Sequence, residues 1–226
     1  MTPRWLGWVS ALAVVAGAIA GTPYVARRMS FFRVRRVELV GVRYLAQDSV
    51  LAALRLRPDQ NVFDDTGALE RRVEAMGAVV SARVERRLPA TLRITVVERM
   101  PVAFALGPDR LVPLDGEGRP LPYDPAATAL DLPMIRRPDP LLVRTLSMVR
   151  LTDSALFQDV DGARLGAKGS VTLELGSRRV LFPGVPTPED VRAVGAVRRH
   201  LAASGRRYAE LDARYNGWVV VRRSTT

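Results

Sequence analysis

The sequence contains no cysteine, a single histidine and a single lysine. The missing thiols exclude disulfides, thiolate zinc sites and cysteine nucleophiles together, and leave the redox compartment open. His200 lies beside Arg198 and Arg199 near the end of a predicted helix, and a metal site needs ligand partners that this chain lacks. No glycine-rich phosphate loop is present, because Gly162, Gly166 and Gly169 carry no P-loop Lys-Ser/Thr pair. Ser170 follows Lys168 and Gly169 in what reads as a solvated turn rather than a Ser–Lys catalytic pair. The carboxylate pairs Asp64/Asp65 and Asp115/Glu117 fall at helix starts and turns, where capping explains them without catalysis. The reading is a protein that is not an enzyme and takes no cofactor or metal.

What the chain does have is apolar surface and arginine. Hydrophobic residues make up 48% of its 226 positions, enough for real cores. The net charge is +11, yet every basic residue except Lys168 is arginine. Abundant Arg, Ala, Val and Gly with scarce Lys is the mark of GC-rich coding. The charge is therefore assigned to solvated faces, with no nucleic acid and no small-molecule substrate as partner. Such a surface sits comfortably near anionic lipid headgroups.

From Trp5 to Ala26 no side chain is charged. As a helix this run reaches about 33 Å, enough to cross a hydrocarbon core. Trp5, Trp8 and Tyr24 lie towards its ends, in the zone amphipathic rings favour, and Arg27 and Arg28 close it. A cleavable signal peptide, with Ala18-Ile19-Ala20 before Gly21, is the rival. The continuation of apolar character through Val25 and Ala26 favours the anchor. A positive-inside count places the large domain in the cytoplasm, since Arg27, Arg28, Arg33, Arg35 and Arg36 all follow the span. Long domains translocate despite such charge, so composition leaves the orientation open.

Beyond the anchor, Val34 to Val40 reads as a strand ending at Gly41. Asp48 and Ser49 start a short helix, and Asp65 or Thr66 caps a second in which Leu69, Val73 and Met76 recur at helical spacing. Two alternating strands follow, joined at Leu88-Pro89-Ala90, giving the order β-α-α-β-β. From Glu98 to Asp139 the chain is rich in proline and glycine, with short strands such as Val102 to Leu106. Leu141 to Leu151 reads as a helix. Val171 to Leu175 pairs with Arg179 to Phe182, and Pro188-Glu189-Asp190 opens a helix to Ala203. The chain closes on a hairpin, Glu210 to Tyr215 and Trp218 to Arg222, around Asn216-Gly217. The predicted class is α+β: tail 1–4, transmembrane helix 5–26, a first domain 31–99 and a β-rich domain 100–226 with a few helices.

This order resembles the POTRA domain of the bacterial division proteins FtsQ and DivIB. Val37-Glu38-Leu39-Val40-Gly41 is similar to the family's opening strand and glycine, and Asn61-Val62-Phe63 to the segment between its helices. Val84-Glu85-Arg86-Arg87-Leu88-Pro89-Ala90-Thr91-Leu92 and Val97-Glu98-Arg99-Met100-Pro101-Val102-Ala103 resemble its most recognisable stretch. Leu111 to Gly118 with Asp115, then Leu132-Pro133, then Leu211-Asp212-Ala213-Arg214-Tyr215, follow in the family's order. Pro138 to Gly169 matches no motif of the family.

The resemblance implies a single-pass protein of the inner (plasma) membrane, with its ectodomain outside the cytoplasm and concentrated at the division septum. It implies a scaffold of the divisome that binds FtsB/FtsL-like coiled-coil proteins and other divisome membrane proteins and helps regulate septal peptidoglycan synthesis. Competing readings are a POTRA-containing envelope assembly or secretion factor and a membrane-anchored cell-wall enzyme. Tyr215, Trp218, Val219, Val220 and Val221 are the candidate partner-binding residues. If Trp218 to Arg222 is a sheet edge, its free backbone groups accept an added strand, and the aromatics serve as anchors or as core. A proline at Val220 is expected to weaken that pairing more than folding.

Overall fold

The computed structural model describes residues 30–107 and 110–223. The expected anchor, Trp5 to Ala26, lies outside them. Among the described residues no helix is long and apolar enough to cross a membrane. The chain divides into two compact units between Glu98 and Arg99.

The first unit runs β1 (Arg36–Val40), α1 (Gln47–Leu54), α2 (Thr66–Glu74), β2 (Val79–Arg87) and β3 (Thr91–Glu98). β3 is central, parallel to β1 and antiparallel to β2. Alternation puts Leu92, Ile94 and Val96 of β3 and Val84 of β2 inside, with Val50, Leu54, Leu69 and Val73 of the helices buried as well. Asp65 caps α2, its carboxylate accepting from the Gly67 N–H at 2.9 Å. The start of α1 differs from the expectation. Ala46 is its N-cap without a side-chain bond, and Asp48 sits in the first turn, where its charge suits the helix dipole.

Glu98 ties the unit together. Its buried carboxylate accepts from the backbone N–H groups of Arg43 (3.0 Å), Tyr44 (2.8 Å) and Leu45 (2.8 Å), fixing the loop that leaves β1. That loop turns at Gly41 (φ +84°), where a Cβ would collide with the Val96 carbonyl, so only glycine fits.

The second unit holds β4 (Pro101–Leu106), β5 (Leu111–Asp115), α3 (Pro125–Thr128), β6 (Met134–Ile135) and α4 (Pro140–Thr152). It continues with α5 (Ser154–Gln158), β7 (Gly162–Leu165), β8 (Val171–Leu175), β9 (Arg178–Phe182), α6 (Pro188–Ala203), β10 (Glu210–Tyr215) and β11 (Trp218–Arg222). Eight strands form one mixed sheet in the order β11-β10-β9-β8-β7-β6-β4-β5. Leu142, Val143, Leu146 and Val149 of α4 and Val191, Val194 and Leu201 of α6 share a single core with the strands. Asp139 caps α4, and Thr187 with Asp190 forms a capping box on α6. Ser170 is buried, and its hydroxyl donates to the Ala167 carbonyl (2.8 Å), closing the Lys168-Gly169 turn. His200 is exposed at the end of α6, where its carbonyl accepts from the Ser204 hydroxyl at 2.8 Å.

Candidate functional site

The last hairpin forms because two alternating runs flank a residue pair suited to a turn, with Gly217 at φ +76°. Tyr215 faces Trp218 across it, and Asp212 faces Val220. A bulge in β10 lies between these two pairs. Among the described residues β11 has β10 as its one sheet neighbour, so it is an edge.

The five predicted residues divide between two faces. Trp218 (77% exposed), Val220 and Tyr215 (51% exposed) line the outer one. Val219 packs on the core. Val221 lines a cleft of about 520 Å³ against α6, with Val197, His200, Leu201 and Arg223. Trp218 to Val221 share the edge strand, Tyr215 belongs to its neighbour β10, and only three of the five share a face.

Which amides point outward follows from the neighbouring pair. β9 runs parallel to β10, and Arg179 N–H donates to the Ala209 carbonyl at 3.0 Å. That bond turns the backbone groups of Leu211 and Ala213 towards β9, and those of Glu210 and Asp212 towards β11. Val220 and Arg222 are their partners, so the N–H groups of Val219 and Val221 face away from the sheet. The expectation for proline at Val220 is thereby corrected: its amide holds the hairpin, and the outward donor is at Val221.

Charge also clamps the hairpin, through pairings that sequence position does not reveal. Glu210 and Asp212 are buried in β10. Asp212 accepts two bonds from the Arg214 guanidinium, at 2.8 and 2.7 Å, and one from its backbone N–H at 3.2 Å. Arg222 of β11 reaches both acids, at 3.1 Å from Glu210 and 3.8 Å from Asp212, and Arg179 of β9 also bonds Glu210. The Arg214 hydrogen bond holds the Asp212 carboxyl below its ordinary 3.8, against the opposing effect of burial. Asp212 in turn keeps Arg214 more basic than usual. The alternating charges of Glu210, Asp212 and Arg214 in an otherwise apolar strand were the available signal.

The other sheet edges are closed or charged. At β2, the outward Ala82 and Val84 N–H groups donate to Glu74 (3.0 Å) and Glu70 (2.8 Å) of α2. At β5, Pro113 lacks a donor, its carbonyl accepts from the Leu121 N–H, and the Asp115 N–H is taken by the Arg119 carbonyl. Among the described residues β1 has β3 as its one sheet neighbour, and its outer edge carries Arg36 and Glu38. β11 presents four uncharged residues in a row, Trp218 to Val221.

Residues 32–99 match the model of the POTRA domain, FtsQ-type. The cell division protein FtsQ of Mycobacteroides abscessus is 31% identical over 203 residues, covering 87% of this chain and 64% of that protein. Over most of its own length the chain is similar to FtsQ cell division proteins. Its FtsQ relative in Mycolicibacterium smegmatis is 36% identical over 155 residues, covering 60% of this chain and 45% of that protein. The FtsQ of Mycobacterium tuberculosis is 31% identical over 180 residues, covering 76% and 55%. The chain thus spans between 45% and 64% of the length of these relatives. The first unit is the FtsQ-type POTRA domain, and the clamped hairpin lies in the second unit.

Proposed function

We propose that this chain is an FtsQ-family, non-enzymatic scaffold of the bacterial division complex. In this reading Trp5 to Ala26 anchors it in the plasma membrane, with both folded units outside the cytoplasm at the septum. The outer edge of β11 receives a strand from a small coiled-coil division protein of the FtsB/FtsL class, and the assembly helps control septal peptidoglycan synthesis. The supporting observation is the contrast among edges within the described residues: β2 and β5 are covered by their own chain, β1 is charged, and β11 is uncovered and uncharged from Trp218 to Val221. Backbone pairing supplies affinity there, and the exposed Trp218 and Tyr215 supply side-chain anchors.

A photocrosslinking amino acid at Trp218 of the full chain in native membranes tests this, with one at Glu85 as control. The expected product joins position 218 to a small coiled-coil membrane protein of the division complex. Equal labelling from both positions, or none from 218, rejects the edge. The anchored topology has its own test. A C-terminal reporter active only in the cytoplasm, or a mature N-terminus at Gly21, rejects it.

A further inference from the structure

The loop that carries the chain from α6 into β10 walls a cavity of about 590 Å³, also lined by α6, the start of β9 and the α4–α5 junction. Five arginines line it, Arg178, Arg198, Arg199, Arg206 and Arg207, against one carboxylate, Asp153. Two of the five are already neutralised. Arg198 pairs with Asp159, and Arg199 lies 3.5 Å from Asp153. Among the described residues no carboxylate pairs with Arg178, Arg206 or Arg207, so three guanidinium charges remain uncompensated around one concavity.

Tyr208 lines the same cavity. It is only 7% exposed, and its hydroxyl has no hydrogen-bond partner. A buried hydroxyl without a partner is costly, and such groups are rare in folded proteins. The Arg178 guanidinium lies over the Tyr208 ring, 5.4 Å from its centroid, so the two side chains form one wall. The opposite wall is also specifically built. Gly195 is in the interior of α6, a poor place for glycine, and a Cβ there would collide with the Asp153 carboxylate that holds Arg199.

The lining therefore offers donors and positive charge, while its one acid is engaged. Guanidinium forks match phosphate oxygens bidentately, and a tyrosine hydroxyl adds a further donor. The volume suits a small ligand rather than a strand or helix. We propose that this cavity binds a phosphoryl or pyrophosphoryl group, free or carried on a lipid headgroup. The proposal does not depend on partner pairing at β11. Arg206 and Arg207 also line the cleft beside Val221, but Arg178 and Tyr208 line this cavity and not that cleft.

The full chain in neutral detergent is titrated by calorimetry with inorganic pyrophosphate and, separately, with dihexanoyl phosphatidic acid, against chloride at matched ionic strength. Saturable binding of either probe is expected. Pyrophosphate alone identifies a free phosphate as the source, and phosphatidic acid alone a headgroup. Tyr208→Phe removes only an unpartnered oxygen, and Arg178→Gln alters an exposed side chain, so both variants keep the fold. Each is expected to weaken binding about tenfold. No saturation beyond the chloride control, or wild-type affinity in either variant, overturns the proposal.

Discussion

Two prolines one residue apart separate the hairpin's internal face from its outward one. At Val220 the lost N–H is the one paired with Asp212, and Asp212 is fully buried, so its carbonyl cannot turn to water instead. An acceptor stranded in this way costs about 1–3 kcal/mol. At about 4 °C per kcal/mol for a domain of this size, Val220→Pro should lower Tm by about 4–12 °C. At Val221 the N–H faces outward, where an edge strand tolerates proline, and the stability change should stay within about 1 kcal/mol. The same substitution deletes a donor to any added strand and puts a ring in its path, so partner Kd should rise by about tenfold. Circular dichroism melts and fluorescence anisotropy with a labelled coiled-coil partner, run on both full-length variants, give the comparison. Wild-type Tm in Val220→Pro refutes the bonding phase assigned to β10. Wild-type Kd in a folded Val221→Pro refutes the outer edge as the contact.

Trp218→Ala should leave Tm within about 1 °C, because the side chain is 77% exposed, and weaken partner binding by about 2 kcal/mol if it anchors the partner. The same melts and anisotropy titrations decide, and a large fall in Tm with unchanged Kd contradicts the anchor. Glu98→Ala strands three backbone donors of the POTRA domain and should cost at least about 3 kcal/mol, whereas Glu98→Gln keeps one acceptor oxygen and should cost less. Urea midpoints at constant m-value test that order. Asp212 has a folded pKa below its unfolded one, so the unfolded state binds the proton first as pH falls. Its contribution is present above the unfolded value near 3.8 and is lost as pH falls through the folded pKa. Asp212→Asn should therefore lose stability at pH 7 and show a shallower acid limb, measured as Tm against pH.

Local pattern carried much of this fold into view. The strands Val79–Arg87 and Thr91–Glu98 show their period of two directly, and Asp65, Asp139 and Thr187 sit where cap chemistry places them. The closing hairpin is equally plain, with Asn216-Gly217 between alternating runs. Non-local pairing was not legible. β6 is two residues long, too short for any periodicity, yet it joins β4 to β7 in the sheet. The parallel contact of β9 with β10 spans all of α6, and it agrees with the Ala209 N–H bond to the Arg222 carbonyl in turning the Val219 and Val221 amides outward. Side-chain alternation identifies faces, not the direction of N–H groups. Proline at Val220 therefore looked like a probe of the edge when it is a probe of the hairpin. The buried acids were hidden for a related reason, since Glu210, Asp212, Arg179 and Arg222 meet only once three strands are in register.

That charge cluster bears directly on the proposed binding edge. An edge strand with one neighbour frays readily, and a frayed strand would have to be ordered again each time a partner added to it. Burying two carboxylates is a costly way to hold a strand, since a well-packed apolar pair is often as stable. An ion network, however, fixes register, because sliding β11 by two residues would move Arg222 away from both Glu210 and Asp212. Val219 packing on the core opposes rotation of the strand, while Arg222 opposes its sliding. The outward amides of Val219 and Val221 are thereby held in fixed positions before any partner arrives, and the ordering cost is met in folding rather than in binding. A hairpin that served only to close the sheet could reach the same stability with apolar side chains at positions 210, 212 and 222. Retaining three charges there makes sense for a strand whose register has to be right on its open side.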